Sequence, residues 1–436
     1  MRRIVCLLLT LMLIFTLTPM LATQVNAQAK PKGDITVWMW KSDWDNVVNS
    51  KILDDFNKEY PDIKVNRVDI AAPDVYQKLP IAISAGTGAP DVSLIEDSAL
   101  GRFVALGGLM DLTEQTKSYK DQIVAYKWDQ VTKDGKVYGM PWDFGPVVTY
   151  YRRDIFKAAG LSDDPTEVGK LVATWDGYLA TCKTILDKTK RLCFPLSKAN
   201  NDDRWYEVML WQQGLGYVSA DGKVTVDSPE NIATLEKLGE FFKAGVIADQ
   251  QSWTDSWYAL YNKADTGVAS TVMAAWMGGF MRSWLAPDTK GLWGATLMPA
   301  MKDGQTRAAN DGGSDFVIPD QSQNKDAAWA FVEFMLGRST SQAKIFEATD
   351  IFPALIPTYK DPIFTEADPY FGGQVVRQLY TQVAGNIPKA TIYGEHYQES
   401  NGFVSTAIQK FATGSMSAAD ALKEAANQIR QQTGLK

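Results

Sequence analysis

The sequence predicts an α/β fold in which a mostly parallel sheet carries helices on both faces. Strand-like and helix-like hydrophobic patterns alternate from residue 34 to residue 95, an order typical of parallel strands joined by crossover helices. The composition is that of a globular chain, because 45% of the 436 residues are hydrophobic and 22% are charged. This length suits two or three domains, and no flexible linker separates them in the sequence.

The first hundred residues carry these patterns in turn. The predicted elements are a strand at 34–40, a helix at 45–59, a strand at 63–70, a helix at 74–85 kinked at Pro80, and a strand at 91–95. In the first strand, Ile35, Val37 and Met39 share one side. The first helix is indicated by apolar side chains spaced to share one helical face: Val48, Ile52, Leu53 and Phe56.

Three later helices are predicted by their ends. Thr174 is a suitable N-cap for a helix that starts at Trp175, and a long helix from about residue 229 to residue 244 should end before Gly245. Ser417 opens the last helix. The apolar side of that helix consists of Ala421, Leu422, Ala425, Ala426 and Ile429.

Residues 1–29 are predicted to be a secretory signal peptide. Arg2 and Arg3 precede an uncharged apolar run from residue 4 to about residue 18, and small residues follow up to Ala29. A membrane anchor is the alternative, but the run is shorter than the roughly 18 to 20 residues that span a bilayer. We therefore expect a periplasmic or extracellular protein. Cys6 lies too early in the run to carry a lipid and would leave with the signal.

The two remaining cysteines lie eleven positions apart, Cys182 in a predicted helix and Cys193 in the segment after it. In an oxidising compartment they can form a disulfide that closes a short loop, worth roughly 2 to 3 kcal/mol. The alternative is that both are small buried apolar residues. The sequence leaves these two interpretations open.

Composition excludes several functions. The 44 Lys and Arg residues are outnumbered by 51 Asp and Glu, so nucleic acid is not an expected partner. A single histidine, His396, cannot form a two-histidine zinc motif, and three cysteines cannot form a four-thiolate site. No dinucleotide, Walker A or nucleophile-elbow motif occurs, so no cofactor is expected. His396 and the Tyr150 and Tyr151 pair are interpreted as structural rather than as a triad member and iron ligands.

The 14 tryptophans favour a carbohydrate ligand, because several stand beside acidic or amide residues in turn-rich segments. A sugar ring has an apolar face of C–H groups and an equator of hydroxyls. Its site therefore needs flat aromatic surfaces together with short carboxylates or amides that can accept two hydroxyls. Most tryptophans of a chain this long nevertheless pack in its core.

The chain resembles the extracellular solute-binding proteins of bacterial carbohydrate ABC transporters, the group that includes the maltose-type binding proteins. The resemblance runs over nearly the whole chain after the signal peptide. It rests on the order and spacing of short segments, among them Ala-Gly-Thr-Gly-Ala-Pro-Asp-Val at 85–92 and Tyr-Gly-Met-Pro-Trp-Asp at 138–143. The other segments are 35–40, 150–160, 174–176, 267–276, 312–314, 327–332 and 419–422.

This resemblance implies two α/β lobes joined by crossing strands, with the ligand cleft at the hinge. The first lobe would comprise residues 30–143 with 300–348, and the second 144–299 with 349–436. The rule that open α/β sheets bind ligands beyond the carboxyl ends of their strands places several residues at the cleft, and the family pattern adds the rest. The implied ligand-binding residues are Trp40, Asp43, Glu96, Asp97, Trp142, Asp143, Trp205, Trp276, Gly312, Gly313, Ser314, Glu395 and Tyr397.

The resemblance further implies a monomeric, non-enzymatic binding protein that delivers a sugar, expected to be an oligosaccharide, to membrane permease subunits. Two features depart from the family pattern: Tyr151-Arg152-Arg153-Asp154 replaces the usual Tyr-Asn-Lys-Asp, and no lipid-bearing cysteine is present. The competing interpretations are a secreted glycoside hydrolase with a carboxylate pair, and the same fold carrying a phosphate ester, iron or a polyamine.

Overall fold

The computed structural model describes residues 30–198, 203–219, 221–263, 266–388 and 393–436. The predicted signal peptide, residues 1–29, lies outside this part of the chain, and so do the side chains of Asp43 and Asn46. By its internal contacts the chain divides into a short unit, residues 1–30, and a large unit, residues 31–436. All that follows concerns the large unit.

Strands and helices alternate through most of this unit. The strands are β1 Gly33–Met39, β2 Ile63–Asp69, β3 Val92–Glu96, β4 Thr132–Lys133, β5 Lys136–Val137, β6 Met140–Arg152, β7 Phe194–Pro195, β8 Ile247–Ala248, β9 Ser270–Ala274, β10 Trp293–Leu297 and β11 Asn310–Val317. The helices are α1 Lys41–Asn49, α2 Ile52–Glu59, α3 Ala72–Ala85, α4 Asp97–Leu106, α5 Thr113–Thr116, α6 Ala125–Val131, α7 Arg153–Ala158, α8 Pro165–Leu171, α9 Trp175–Thr189, α10 Arg204–Trp211, α11 Pro229–Ala244, α12 Asp255–Asn262, α13 Trp276–Phe280, α14 Lys325–Leu336, α15 Ser339–Thr349, α16 Val376–Ala384, α17 Tyr397–Ala412 and α18 Ala418–Thr433. A π-helical turn, Met281–Leu285, continues α13.

The predicted order of the first elements is confirmed, with one difference in the first helix. The chain forms two helices there, because Lys51 adopts a left-handed conformation (φ 59°) and breaks the helix between α1 and α2. Ile52 and Phe56 are buried as predicted, whereas Val48, on the other side of the break, is 47% exposed. The placement of Val48 on the buried face was therefore wrong.

The α/β class is confirmed, but the strands do not run mostly parallel. Seven strands are connected by hydrogen bonds in the order β10, β6, β11, β3, β1, β2, with β9 also pairing with β6, and they form two sheets that share β6. Strand β1 pairs in parallel with β2 and β3, whereas β11, β6, β9 and β10 make antiparallel pairs. The reason is that β9, β10 and β11 run in the opposite direction to β6, and β11 also runs opposite to β3, so each of these pairs is antiparallel.

The long strand β6 takes part in two sheets. Its first half, up to Pro146, pairs with β11, and its second half, from Val147, pairs with β9 and β10. The segment after α15 runs beside the first half, where Phe144 N donates to Phe352 O (3.2 Å) and Ala354 N donates to Trp142 O (2.9 Å). The crossing near Asp143 thus coincides with a change of strand partners, and the lobe boundaries stay a prediction.

The core is divided among three hydrophobic clusters. The largest surrounds β1, α14 and the first half of β6 and extends to aromatic residues of 257–293 and 352–380. A second is formed by α9, α10, α11, α17 and α18. The third lies under α3 and α4.

The predicted helix ends are confirmed. The hydroxyl of Thr174 accepts from Gly177 N, Ser417 accepts from Asp420 N, and α11 ends at Gly245 with φ 66°. Such ends depend on contacts within one turn, which explains why the local sequence predicts them.

Cys182 in α9 and Cys193 just before β7 are bonded in the structure, with their Cα atoms 5.2 Å apart. Both are fully buried. The bond connects the middle of α9 to the short parallel pair of β7 and β8.

The Tyr150 to Asp154 segment is held by internal contacts. Tyr150 shares a hydrogen bond with the hydroxyl of Tyr380 (2.8 Å), and Tyr151 donates to a backbone carbonyl. Arg152, fully buried, pairs with Asp154 at 2.7 Å. In the described part of the chain no group of His, Cys, Asp and Glu is arranged to hold a metal ion.

Candidate functional site

A cleft of about 620 Å³ opens where β6 passes from one sheet to the other. One wall is formed by the carboxyl ends of β1 and β3, the first half of β6 and the start of β11; the other is formed by residues 203–205, 251–261 and 271–280. Nine of the predicted residues line it: Trp40, Glu96, Trp142, Asp143, Trp205, Trp276, Gly312, Gly313 and Ser314.

The floor of the cleft is an irregular stretch of β11. Its register against β6 shifts between Asn310 and Gly313, and the extra residues form a bulge. Gly312 (φ 83°) and Gly313 (φ 135°) take backbone angles that favour glycine. A Cβ on Gly313 would also lie 2.9 Å from the carbonyl oxygen of Asp143. Glycine therefore lets the two backbones approach and exposes main-chain polar groups to a ligand.

Asp143 is a buried carboxylate of the cleft wall, 7% exposed. It accepts a hydrogen bond from the hydroxyl of Ser314 on the neighbouring strand. Burial raises the pKa of Asp143 to about 6, although Lys127 and Ser314 favour the charged form. The group is thus mainly ionised at neutral pH and can accept ligand hydroxyls.

Arg204 at the start of α10 carries the positive charge of the cleft wall. Its Nε lies 3.2 Å from Asp311 Oδ1 and its Nη1 lies 3.3 Å from Glu207 Oε2. Burial raises the pKa of Asp311, and it raises the pKa of Glu207 to about 7. The guanidinium therefore joins α10 to β11 and offsets part of the negative charge of the wall.

The cleft also has an aromatic wall. Trp276 lies between Trp253 (centroids 5.9 Å apart) and Phe280 (5.4 Å). Its indole nitrogen donates to Asp311 O at 2.9 Å, which fixes the ring against the bulge of β11. Trp257 supports Trp253 from behind at 5.1 Å. The wall presents flat apolar surfaces to the cleft.

Two further tryptophans line the cleft. Trp40 follows β1 and Trp142 lies in β6. Their indole nitrogens are buried and have no hydrogen-bond partner among the described residues. A buried N–H without a partner is costly, and both nitrogens are closed off from the cleft in this structure.

Four predicted site residues are not found in the cleft wall. The side chain of Asp43 lies outside the described residues, although Ser42 lines the cleft. Asp97 does not line the cleft: the first turn of α4 directs it into a fully buried ion pair with Lys127, and its role in binding stays a prediction.

The two C-terminal residues, Glu395 and Tyr397, also lie outside the cleft wall, and their roles in binding stay predictions. Glu395 pairs with Lys133 at 3.4 Å on the surface. Tyr397 is buried, with its hydroxyl donating to Glu207 at 2.6 Å. Tyr393, one turn earlier in the chain, lines the cleft instead.

Several residues that line the cleft were not predicted from the sequence. These are Asp203, Arg204, Trp253, Trp257, Tyr261 and Asp311. The tryptophan-rich segment 253–257 was a usable signal. Arg204 and Asp311 offered none, because their proximity depends on two elements about a hundred residues apart.

The arrangement can hold a flat, hydroxyl-rich molecule. Its rings can cover an apolar face, while its carboxylates and main-chain groups can bond to an equator of hydroxyls. The fold and this cleft define a two-lobed α/β ligand-binding protein. The chain belongs to the bacterial extracellular solute-binding protein family, whose model matches residues 41–340.

Known relatives are similar over most of the chain. A lactose-binding protein of Rhizobium radiobacter is 28% identical over 83% of this chain and 84% of its own. An arabinooligosaccharide-binding protein of Bacillus subtilis is 26% identical, over 80% and 79%. Among solved structures, the galacto-N-biose/lacto-N-biose I-binding protein of a Bifidobacterium longum ABC transporter superposes with a TM-score of 0.76 at 22% identity, covering 94% of this chain and 100% of that one.

In the described part of the chain, no helix is both long enough and apolar enough to span a bilayer.

Proposed function

We propose that this protein is the substrate-binding component of an ABC importer, which captures an oligosaccharide in the cleft and delivers it to the membrane permease subunits. The protein acts outside the cytoplasm after removal of residues 1–29. It binds the sugar without cleaving it, and it works as a monomer.

The observation that carries this proposal is the pairing of an aromatic wall with polar groups in one cleft. Trp276 and Trp253 offer flat faces, whereas the carboxylates of Glu96 and Asp143 offer polar partners. Neutral sugars require both kinds of surface at once. A phosphate ester would instead need converging cations, and of the lining residues Arg204 alone is one.

Relatives support a sugar as the cargo. The proteins of similar sequence include ones named for lactose and for arabinooligosaccharides, and a neighbouring structure holds β-1,6-galactobiose. The cleft proposed here uses the nine predicted residues that line it, together with Arg204, Trp253 and Asp311.

The mechanism rests on a site divided between two lobes, residues 30–143 with 300–348 and residues 144–299 with 349–436. Trp40 and Asp143 belong to the first lobe, and Trp253 and Trp276 to the second. A ligand that contacts both lobes stabilises the closed state, because it binds that state more tightly than the open one.

The test uses the mature protein and a panel of lactose, β-1,6-galactobiose, and arabino- and malto-oligosaccharides. At least one sugar should raise the melting temperature and give a saturable calorimetric titration. Chromatography should recover it intact. Hydrolysis products that disappear in Asp143→Asn or Glu96→Gln would favour the glycoside hydrolase, and no binding by any member would contradict a sugar cargo.

A further inference from the structure

An aromatic ridge leads out of the cleft. Trp276, Phe280 and Trp284 follow one another at four-residue spacing along α13 and the π-helical turn after it. Their successive ring centroids are 5.4 Å and 5.6 Å apart. Trp276 and Phe280 line the cleft, whereas Trp284 lies beyond it and is 50% exposed. The ridge thus continues from the interior of the cleft to the protein surface.

Rings from α12 and from the segment just before it flank this ridge. Tyr258 of α12 packs edge-on against Trp284 at 5.3 Å, and Trp253, 51% exposed, lies 6.5 Å from Phe280. Trp253 adopts a φ of 66°, which is costly for a bulky side chain. Such strain persists where the surroundings hold a residue in place, and it concentrates at binding sites.

Internal packing alone does not account for Trp284. Half of its surface faces water, so much of the free energy available from burying an indole is not gained. Ser283 next to it is exposed and polar, which shows that this surface accepts polar side chains. Contiguous apolar surface, here the exposed rings of Trp253 and Trp284 with the half-buried Phe280 between them, is typical of binding surfaces.

We propose that Phe280 and Trp284, flanked by Tyr258, form an outer subsite for the sugar units of an oligosaccharide that extend beyond the cleft. This inference rests on the proposed function. Its support is continuity: a sugar stacked on Trp276 places the next units of its chain over Phe280 and then Trp284. Successive rings are inclined by 46° and 45°, so the ridge turns as it rises. The protein therefore prefers chains longer than the cleft alone can hold.

The experiment compares chain lengths. Titration calorimetry measures the affinity of the mature protein for di- to hexasaccharides of whichever series binds in the panel above. In the wild type, affinity should rise by about tenfold once the chain reaches the outer subsite. Trp284→Ala should remove that gain and leave disaccharide affinity unchanged, whereas Trp284→Phe should retain most of it. Ile81→Ala, which truncates a 69% exposed residue of α3 outside the cleft wall, is the control.

The outcomes separate this inference from the function on which it depends. Equal affinity for short and long chains, or a gain that Trp284→Ala leaves intact, would overturn the outer subsite while a sugar cargo stands. A loss shared equally by disaccharides would also overturn it, since Trp284 would then act on the cleft itself. If no sugar binds, the proposed function fails and the outer subsite with it. Unchanged circular dichroism and melting temperature of Trp284→Phe show that the fold is intact.

Discussion

The replacement Trp276→Ala tests the aromatic wall most directly. It removes a ring held between Trp253 and Phe280, and it removes the N–H that donates to Asp311 O at 2.9 Å. Loss of a buried aromatic contact costs about 2 kcal/mol, and loss of a hydrogen bond that orients the site costs about 1 kcal/mol. Affinity should therefore fall by about 30- to 150-fold. Trp276→Phe keeps a ring and loses the donor, so its affinity should fall by only about fivefold.

Titration calorimetry with the best sugar of the panel measures both effects. Trp329 of α14 provides a matched control, because it is also partly buried and lies outside the cleft wall. Trp329→Ala should lower the free energy of unfolding without changing the affinity. An affinity of Trp276→Ala equal to that of the wild type would refute the reasoning, and it would remove this ring from the binding site.

Three further outcomes are expected. Burial raises the pKa of Asp143 from 3.8 to about 6, so its contribution to stability is complete below about pH 4 and is lost as the pH rises to about 6. Urea denaturation over that pH interval should show the free energy of unfolding of the wild type falling by up to about 3 kcal/mol relative to that of Asp143→Asn. A difference between the two free energies that does not change with pH would contradict this. Thiol titration of unreduced, denatured mature protein should find Cys182 and Cys193 both blocked, and reduction should lower the free energy of unfolding by about 2 to 3 kcal/mol; two free thiols would contradict the bond. Mass spectrometry of protein from the native host should give an N-terminus near Gln28 or Lys30, and a retained leader would disprove cleavage.

Much of the fold was predictable because its determinants are local. Thr174 and Ser417 cap their helices within one turn, and Gly245 ends another by its own backbone angle. Trp40 and Glu96 were placed at the cleft by a general rule: both lie at the carboxyl ends of strands that share one edge of a sheet. Each of these inferences needs only a few neighbouring residues.

The features of the site that the sequence did not predict depend on contacts between residues far apart in the chain. Glu96 lines the cleft and its neighbour Asp97 does not. Helix α4 begins at Asp97, and the side chain of Asp97 pairs with the buried Lys127. Arg204 reaches Asp311 through tertiary packing that no short segment encodes. The antiparallel pairing of β6 could not be predicted either, since a run of buried residues does not show whether the neighbouring strands are parallel or antiparallel.

The sharing of β6 between two sheets has a consequence for how the protein comes apart. One continuous backbone joins the strand β11, paired with the first half of β6, to the strands β9 and β10, paired with the second half. At Gly145 the strands meet so closely that an added Cβ would collide with the backbone of Asp311. We therefore expect the strands that β6 joins to unfold together, because loss of order in either half of β6 removes a pairing partner from its neighbours.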